Sequence, residues 1–429
     1  MIDCSHQRIR PALIAILALI PCLSAGPLTG QEPGPNSEKL PVAAIVTVYT
    51  KNSHADVIVG KILDGYQQDH GAGPGLRLVS LYTDQVPDND LSREMANEHG
   101  FRISPSIDDA LTLGTNRIQV AGVISIGEHG SYPLTELTGQ MQYPRRRLFE
   151  EIVATFERCG SVVPVFNDKH LGYRWEDAKW MVGTARKHKF PLLAGSSLPV
   201  AWREPAVDFP VDSEIEAALT IGFGGLEAYG FHALESHQCL LERRKGGETG
   251  VTAVQGISAD GIRQAEREGR WSSELFAAAR RQMPGAPTDT ADWKPTPNSA
   301  VYLIEHQDGL RSAVLMANGM ANHFATAVKI KGRAEPVAVC FMLQESAPYA
   351  HFAYLLHAID ETIHRGKEVY PVERTLLTTG ILDRVMLSLA TKGQRYETPE
   401  LVFPYQRANW PFANQWKPEL KLPLFETNK

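Results

Sequence analysis

Between Val42 and Ala194 the apolar positions fall into short unbroken runs separated by stretches of helical spacing. Val42–Tyr49 and Val120–Ile126 are continuous apolar runs rich in β-branched residues, as strands buried on both faces require. Leu76–Leu81, Ser161–Phe166 and Phe190–Ala194 complete the strand set, with Pro164 arguing for an edge or an early strand position. His54–Tyr66, Leu91–His99, Ile107–Leu113, Arg146–Arg158 and Trp175–Lys187 carry helical spacing, and Gly100 and Gly160 stand where glycine ends a helix. This alternation predicts βαβ units in an α/β fold. Residues 40–200 are expected to form a Rossmann-like, dinucleotide-binding-type domain with a doubly wound parallel sheet.

The second half has a different rhythm. Val251–Ile257, Ala300–Glu305, Leu310–Ala317 and Ala325–Ile330 are strands with little helix between them, and His306–Gly309 is a turn joining two of them. With helices at Glu274–Gln282 and Phe352–Arg365, residues 201–402 are expected to form an α+β domain with an open mixed or antiparallel sheet. Residues 403–429, with Pro404, Trp410, Pro411 and Trp416, read as an extended arm packed on the body or on a partner chain.

At the other end, Arg8 and Arg10 precede the apolar run Ala12–Ile20, and Leu23–Ala25 offers small residues for cleavage. The run is too short to cross a bilayer, which takes about 20 residues. Residues 1–25 are therefore expected to be a signal peptide and 26–39 a linker. The mature chain is then periplasmic or extracellular, with no stable membrane span after processing.

Composition narrows the function classes. Of 429 residues, 43% are hydrophobic and 21% charged, which excludes a disordered or collagen-like chain. A net charge of −6 gives no electrostatic argument for nucleic acid. Five cysteines exclude a scaffold built on disulfides, and Cys159, Cys239 and Cys340 are expected to be buried and reduced. No Cys or His spacing suggests a metal site.

Several segments could carry chemistry. The turn Tyr49–His54 lacks glycine, although Lys51, Asn52 and Ser53 stand where a helix start could meet a phosphate. Asp84 follows the second strand, as a ribose-binding acid or as a turn or cap residue. Glu128 and His129 lie in Gly127–Pro133, just past a strand end, in a site loop or a solvated one. Arg145, Arg146 and Arg147 oppose the dipole of the helix they open, pointing to an anionic ligand or an acidic partner, or else to a solvated basic face. Lys169 closes a strand where it can face the cleft. His232 and Glu235 stand three apart on one helix, so the carboxylate could orient the imidazole; His237 points elsewhere. Gly222–Gly225 is read as a turn.

The order of these pieces resembles the Gfo/Idh/MocA family of sugar and cyclitol oxidoreductases. The resemblance rests on Asp168–Leu171, Trp175–Ala178, Phe190–Gly195 and Gly230–Glu235, then Phe352–Tyr354, Ile359–Gly366 and Pro371–Glu373. It implies NAD or NADP in the first half, near Ser53, His54, Asp84, Glu128 and His129. It also implies that Lys169 contacts the reacting hydroxyl and His232 acts as the base, with Glu235 beside it. Three positions depart from the pattern: the glycine fingerprint is missing, His170 replaces a proline, and Ala228 stands where the family has an acid. The function implied is an exported oxidoreductase-like enzyme acting on a sugar or polyol. The alternative is a non-redox carbohydrate-binding protein, lyase or hydrolase on the same fold without the cofactor. The partner expected is a small-molecule sugar or polyol, with a homo-oligomer formed through the C-terminal sheet as a further expectation.

Overall fold

The first apolar run lies at the centre of a parallel sheet in the computed structural model, which describes Met1 and residues 39–285 and 293–416. The expected signal peptide, nearly all of the linker and the end of the C-terminal arm lie outside the described residues. Strands and helices alternate as β1 (Leu40–Val46), α1 (His54–Asp64), β2 (Leu76–Thr83), α2 (Ser92–His99), β3 (Arg102–Ile103) and α3 (Ile107–Thr112). They continue as β4 (Gly122–Ile126), α4 (Arg145–Cys159), β5 (Val165–Asp168), α5 (Trp175–His188) and β6 (Leu192–Gly195). The sheet order is β3-β2-β1-β4-β5-β6, with every pair parallel. This is the doubly wound arrangement, and its crevice opens where the order reverses, between β1 and β4. Val42–Val46 are fully buried, as a strand covered on both faces must be. Pro164 precedes β5, and the strand lies between β4 and β6 rather than at an edge. The proline keeps its acceptor role, since its carbonyl takes the Val123 N–H at 2.9 Å.

The remaining elements are β7 (Trp202–Glu204), β8 (Ile215–Gly222), α6 (Ala228–Leu241), β9 (Val251–Ser258), α7 (Ala259–Arg267) and α8 (Ser273–Arg281). They are followed by β10 (Ala300–His306), β11 (Arg311–Met316), β12 (Phe324–Ile330), β13 (Val337–Met342), α9 (His351–Arg365), α10 (Glu373–Ala390) and β14 (Tyr396–Glu397). Their eight-stranded sheet runs β14-β9-β10-β11-β8-β12-β13-β7, antiparallel except for β11 with β8. The central strand β8 is absent from the sequence reading, as are β7, β13, α7 and α10.

The last two long helices reach back across the molecule: α9 packs on α1, while α10 packs on α5, α6 and β9. The arm beyond them lies on the body, with the Trp410 and Trp416 rings 5.8 and 4.6 Å from His357. Cys239 and Cys340 are buried and Cys159 half-buried, all as free thiols. No helix among the described residues is long and apolar enough to cross a membrane.

Candidate active site

The carboxyl ends of β1, β4 and β5 and the start of α6 surround a cavity of about 460 Å³, into which His54, Glu128, His129, Lys169 and His232 all face. Each is placed by its local backbone. Lys169 follows β5 with φ +62°, and its N–H donates to the Gly195 carbonyl at 3.1 Å. That left-handed step ends the strand's alternation, and the ammonium lies 3.3 Å from the Glu128 carboxylate. Glu128 also pairs with Arg145, which is fully buried. Burial opposes the Glu128 charge, but Lys169 and then Arg145 outweigh it and hold the carboxyl well below its ordinary range.

His54 opens α1 and sets its Nδ1 2.6 Å from the carboxylate of Asp168, which is 1% exposed. The ring also meets Phe352 edge-on at 5.0 Å and lies 5.4 Å from His129. His232 lies one turn into α6, and its Nδ1 shares a 2.6 Å hydrogen bond with the Ser196 hydroxyl. Burial first, and then the nearby Lys169 charge, keep its imidazole neutral. Gly230 lets α6 lie close against β10, since a Cβ there would stand 2.7 Å from the Tyr302 hydroxyl.

Three expected site residues lie elsewhere. Glu235 does not orient His232: its carboxylate accepts from Thr378 at 2.7 Å and Thr375 at 3.2 Å on α10, and Ser196 takes the orienting role. The two side chains leave the helix three residues apart but diverge to different neighbours. Ser53 caps α1, accepting from the Asp56 N–H at 3.3 Å. Asp84 accepts from the Tyr132 hydroxyl at 2.7 Å and the Tyr82 hydroxyl at 3.1 Å, and pairs with Arg147 at 2.5 Å. The acidic partner expected for the arginine run is this chain itself: Arg145 meets Glu128, Arg146 meets Glu150 and Asp177, and Arg147 meets Asp84 and Glu151. His237 is buried between Thr220 and Ser312, as its place in the helix suggested. Sequence reasoning missed the roles of Asp168 and Ser196. Asp168 was visible as the first residue of the Asp168–Leu171 segment, but its partner lies 114 positions away.

The dinucleotide implied by the resemblance can be tested against the groups present. At the start of α1 the Asp56 carboxylate accepts from the Asn52 N–H at 2.8 Å, and the Ser53 hydroxyl takes the Asp56 N–H. A carboxylate thus stands where a pyrophosphate would seek donors. Asp84, the expected ribose acid, already serves two hydroxyls and a guanidinium. Over the ends of β1 and β2, a Cβ on Gly130 would lie 3.2 Å from Val48 and 3.1 Å from Gln85. Gln85 fastens that loop through bonds of 2.9 and 2.8 Å to the Ser131 backbone. These residues do not fit a dinucleotide gripped at its pyrophosphate and adenosine ribose. The cavity at Lys169 and His232 has the size and polar lining for a small polyhydroxylated molecule.

Solved structures place this architecture. GenD2 from gentamicin A biosynthesis, solved with NAD, is 14% identical over 84% of this chain and 97% of its own, with a TM-score of 0.53. A myo-inositol dehydrogenase from Corynebacterium glutamicum is 12% identical over 84% of this chain and 98% of its own, with a TM-score of 0.52. The chain has a Gfo/Idh/MocA-type fold. An Agrobacterium radiobacter oxidoreductase solved with NAD+, L-tartaric acid and magnesium shares this Gfo/Idh/MocA-type fold at 14% identity, 84% and 98% coverage and a TM-score of 0.50. No protein-family model and no curated protein matches the sequence.

Proposed function

We propose that this chain is an exported acid–base enzyme acting on a sugar or polyol, with Lys169 and His232 managing the proton of the reacting hydroxyl. The observation that carries the proposal is the convergence of these two side chains, 63 positions apart in the numbering, on one polar cavity of a fold shared with a myo-inositol dehydrogenase. Neutral His232, held through Nδ1 by Ser196, accepts the hydroxyl proton at Nε2. The Lys169 ammonium, held by Glu128, donates to the same oxygen and stabilises charge as it develops there. His54, held by Asp168, offers a second acid or base across the cavity.

In an oxidoreductase reading, suggested by GenD2 of the same fold, which was solved with NAD, the cofactor would have to be held by groups other than the start of α1 and Asp84. A second reading is favoured by the Asp56 carboxylate at the start of α1: the same residues serve a lyase, a hydrolase or a carbohydrate-binding protein without the cofactor. Titrating the mature protein with NAD(H) and NADP(H), followed by fluorescence and sugar-dependent reduction, separates the two. Saturable binding with reduction supports the redox form, and no binding supports the other. In either enzymatic form Lys169→Ala and His232→Ala are expected to lower turnover by about 10²- to 10⁴-fold with the fold retained. Turnover at the wild-type level in either variant rules out the mechanism.

A further inference from the structure

A second cavity, of about 220 Å³, adjoins the first, and Leu343 and Glu345 line both. Phe223, Asn322 and His323 complete its wall. The two spaces are joined by a continuous run of aromatic rings. Tyr229 stands 5.9 Å from the His232 ring and 6.2 Å from Phe324, and Phe223 lies 5.4 Å from Tyr229 and 5.1 Å from Phe324. Tyr229 is 38% exposed, so part of its ring is open to a ligand. The rim above this floor is polar. Asn322 is exposed and within 2.9 Å of His323, and the Glu345 carboxylate has no hydrogen-bond or ion-pair partner among the described residues. No group of three metal-ligating side chains occurs among the described residues.

An apolar ring floor under a rim of amide, imidazole and carboxylate suits a molecule with C–H faces and hydroxyl edges. We infer that the second cavity is a subsite for a second sugar ring, so that the substrate is a disaccharide or another glycoside rather than a single free ring. This rests on the reading above, in which the reacting ring occupies the cavity at Lys169 and His232. The second ring lies on Phe223 and Tyr229, with its hydroxyls at Asn322, His323 and Glu345.

The test uses the full mature protein on a glycan array carrying single rings and their disaccharides, followed by calorimetric titration with the best disaccharide and each of its component monosaccharides. The disaccharide is expected to bind about tenfold more tightly than either component. In Phe223→Ala, and separately in Asn322→Ala at an exposed position, the advantage is expected to fall to about twofold or less. Single rings binding as tightly as disaccharides, no glycan retained, or an advantage that survives both variants overturns the subsite. Those outcomes leave the acid–base reading standing, because it is decided by turnover of the Lys169 and His232 variants.

Discussion

Asp168 and Lys169 are neighbours in sequence with opposite charges and separate tasks. Asp168 ends β5 and fixes the His54 ring, while Lys169 steps to φ +62° and reaches Glu128. An acid on Nδ1 selects the tautomer that leaves Nε2 as the working atom of His54. Asp168→Asn keeps the shape but removes the charge, and is expected to lower kcat by about 10²-fold with little change in KM. Steady-state kinetics on the substrate found by titration checks this, and an unchanged kcat would make His54 a bystander. Lys169 and His232 were legible because each stands in a short segment whose order matches a known fold. Ser196 and Asp168 were not, because what defines them is a partner distant in sequence.

The elements around the cavity meet closely at the end of β6. Gly195 has φ +126°, and a Cβ there would lie 2.8 Å from both the Glu235 carboxylate and the Thr375 hydroxyl. Gly195→Ala is therefore expected to destabilise the protein by roughly 2 kcal/mol or more. Gly183→Ala, in α5 with open space around it, is the control and is expected to be neutral or to add up to about 1 kcal/mol. Urea unfolding of the pair measures both, and equal effects would remove the argument from crowding. The elements that could be read from sequence have a clear period: β1 is an apolar run, and α4 has one apolar stripe. By contrast, α10 touches α5, α6 and β9, so apolar residues occur around its circumference and leave no stripe to find. Gly380 in its middle looks like a helix breaker, yet it makes room for Trp175, whose ring would stand 2.8 Å from a Cβ there. The strand β8 is built largely from Ala217, Ala218, Leu219 and Thr220, which read as readily as a helix.

At the scale of the whole molecule, several imidazoles are buried in neutral form. Burial lowers His237 and His351 to about 3 and pulls His170 well below its ordinary value. In the unfolded chain each regains an ordinary value near about 6.5. As pH falls below that value the unfolded state takes up protons that the folded state refuses, and stability falls with it. Each histidine contributes up to about 1.4 kcal/mol per pH unit until its folded pKa is reached. Above pH 7 these groups add no dependence. Urea unfolding at pH 7.5, 6.5 and 5.5 is expected to show a steady loss below 6.5, and a flat profile would mean that the rings are charged in the fold. The doubly wound sheet was legible at this scale because it follows from the order of runs. The packing over the ends of β1 and β2 was not, because it depends on contacts such as Arg147 with Asp84 and Gln85 with Ser131 that join distant loops.

The return of α9 onto α1 and of α10 onto α5 and α6 has a mechanical consequence. Two sheets joined by a single crossing strand of chain could part like jaws, but two sheets fastened again by the chain's last helices are braced against it. The mouth above Lys169 and His232 is therefore expected to keep its aperture when a guest enters, so that on the proposed function a sugar would be sorted by width at entry.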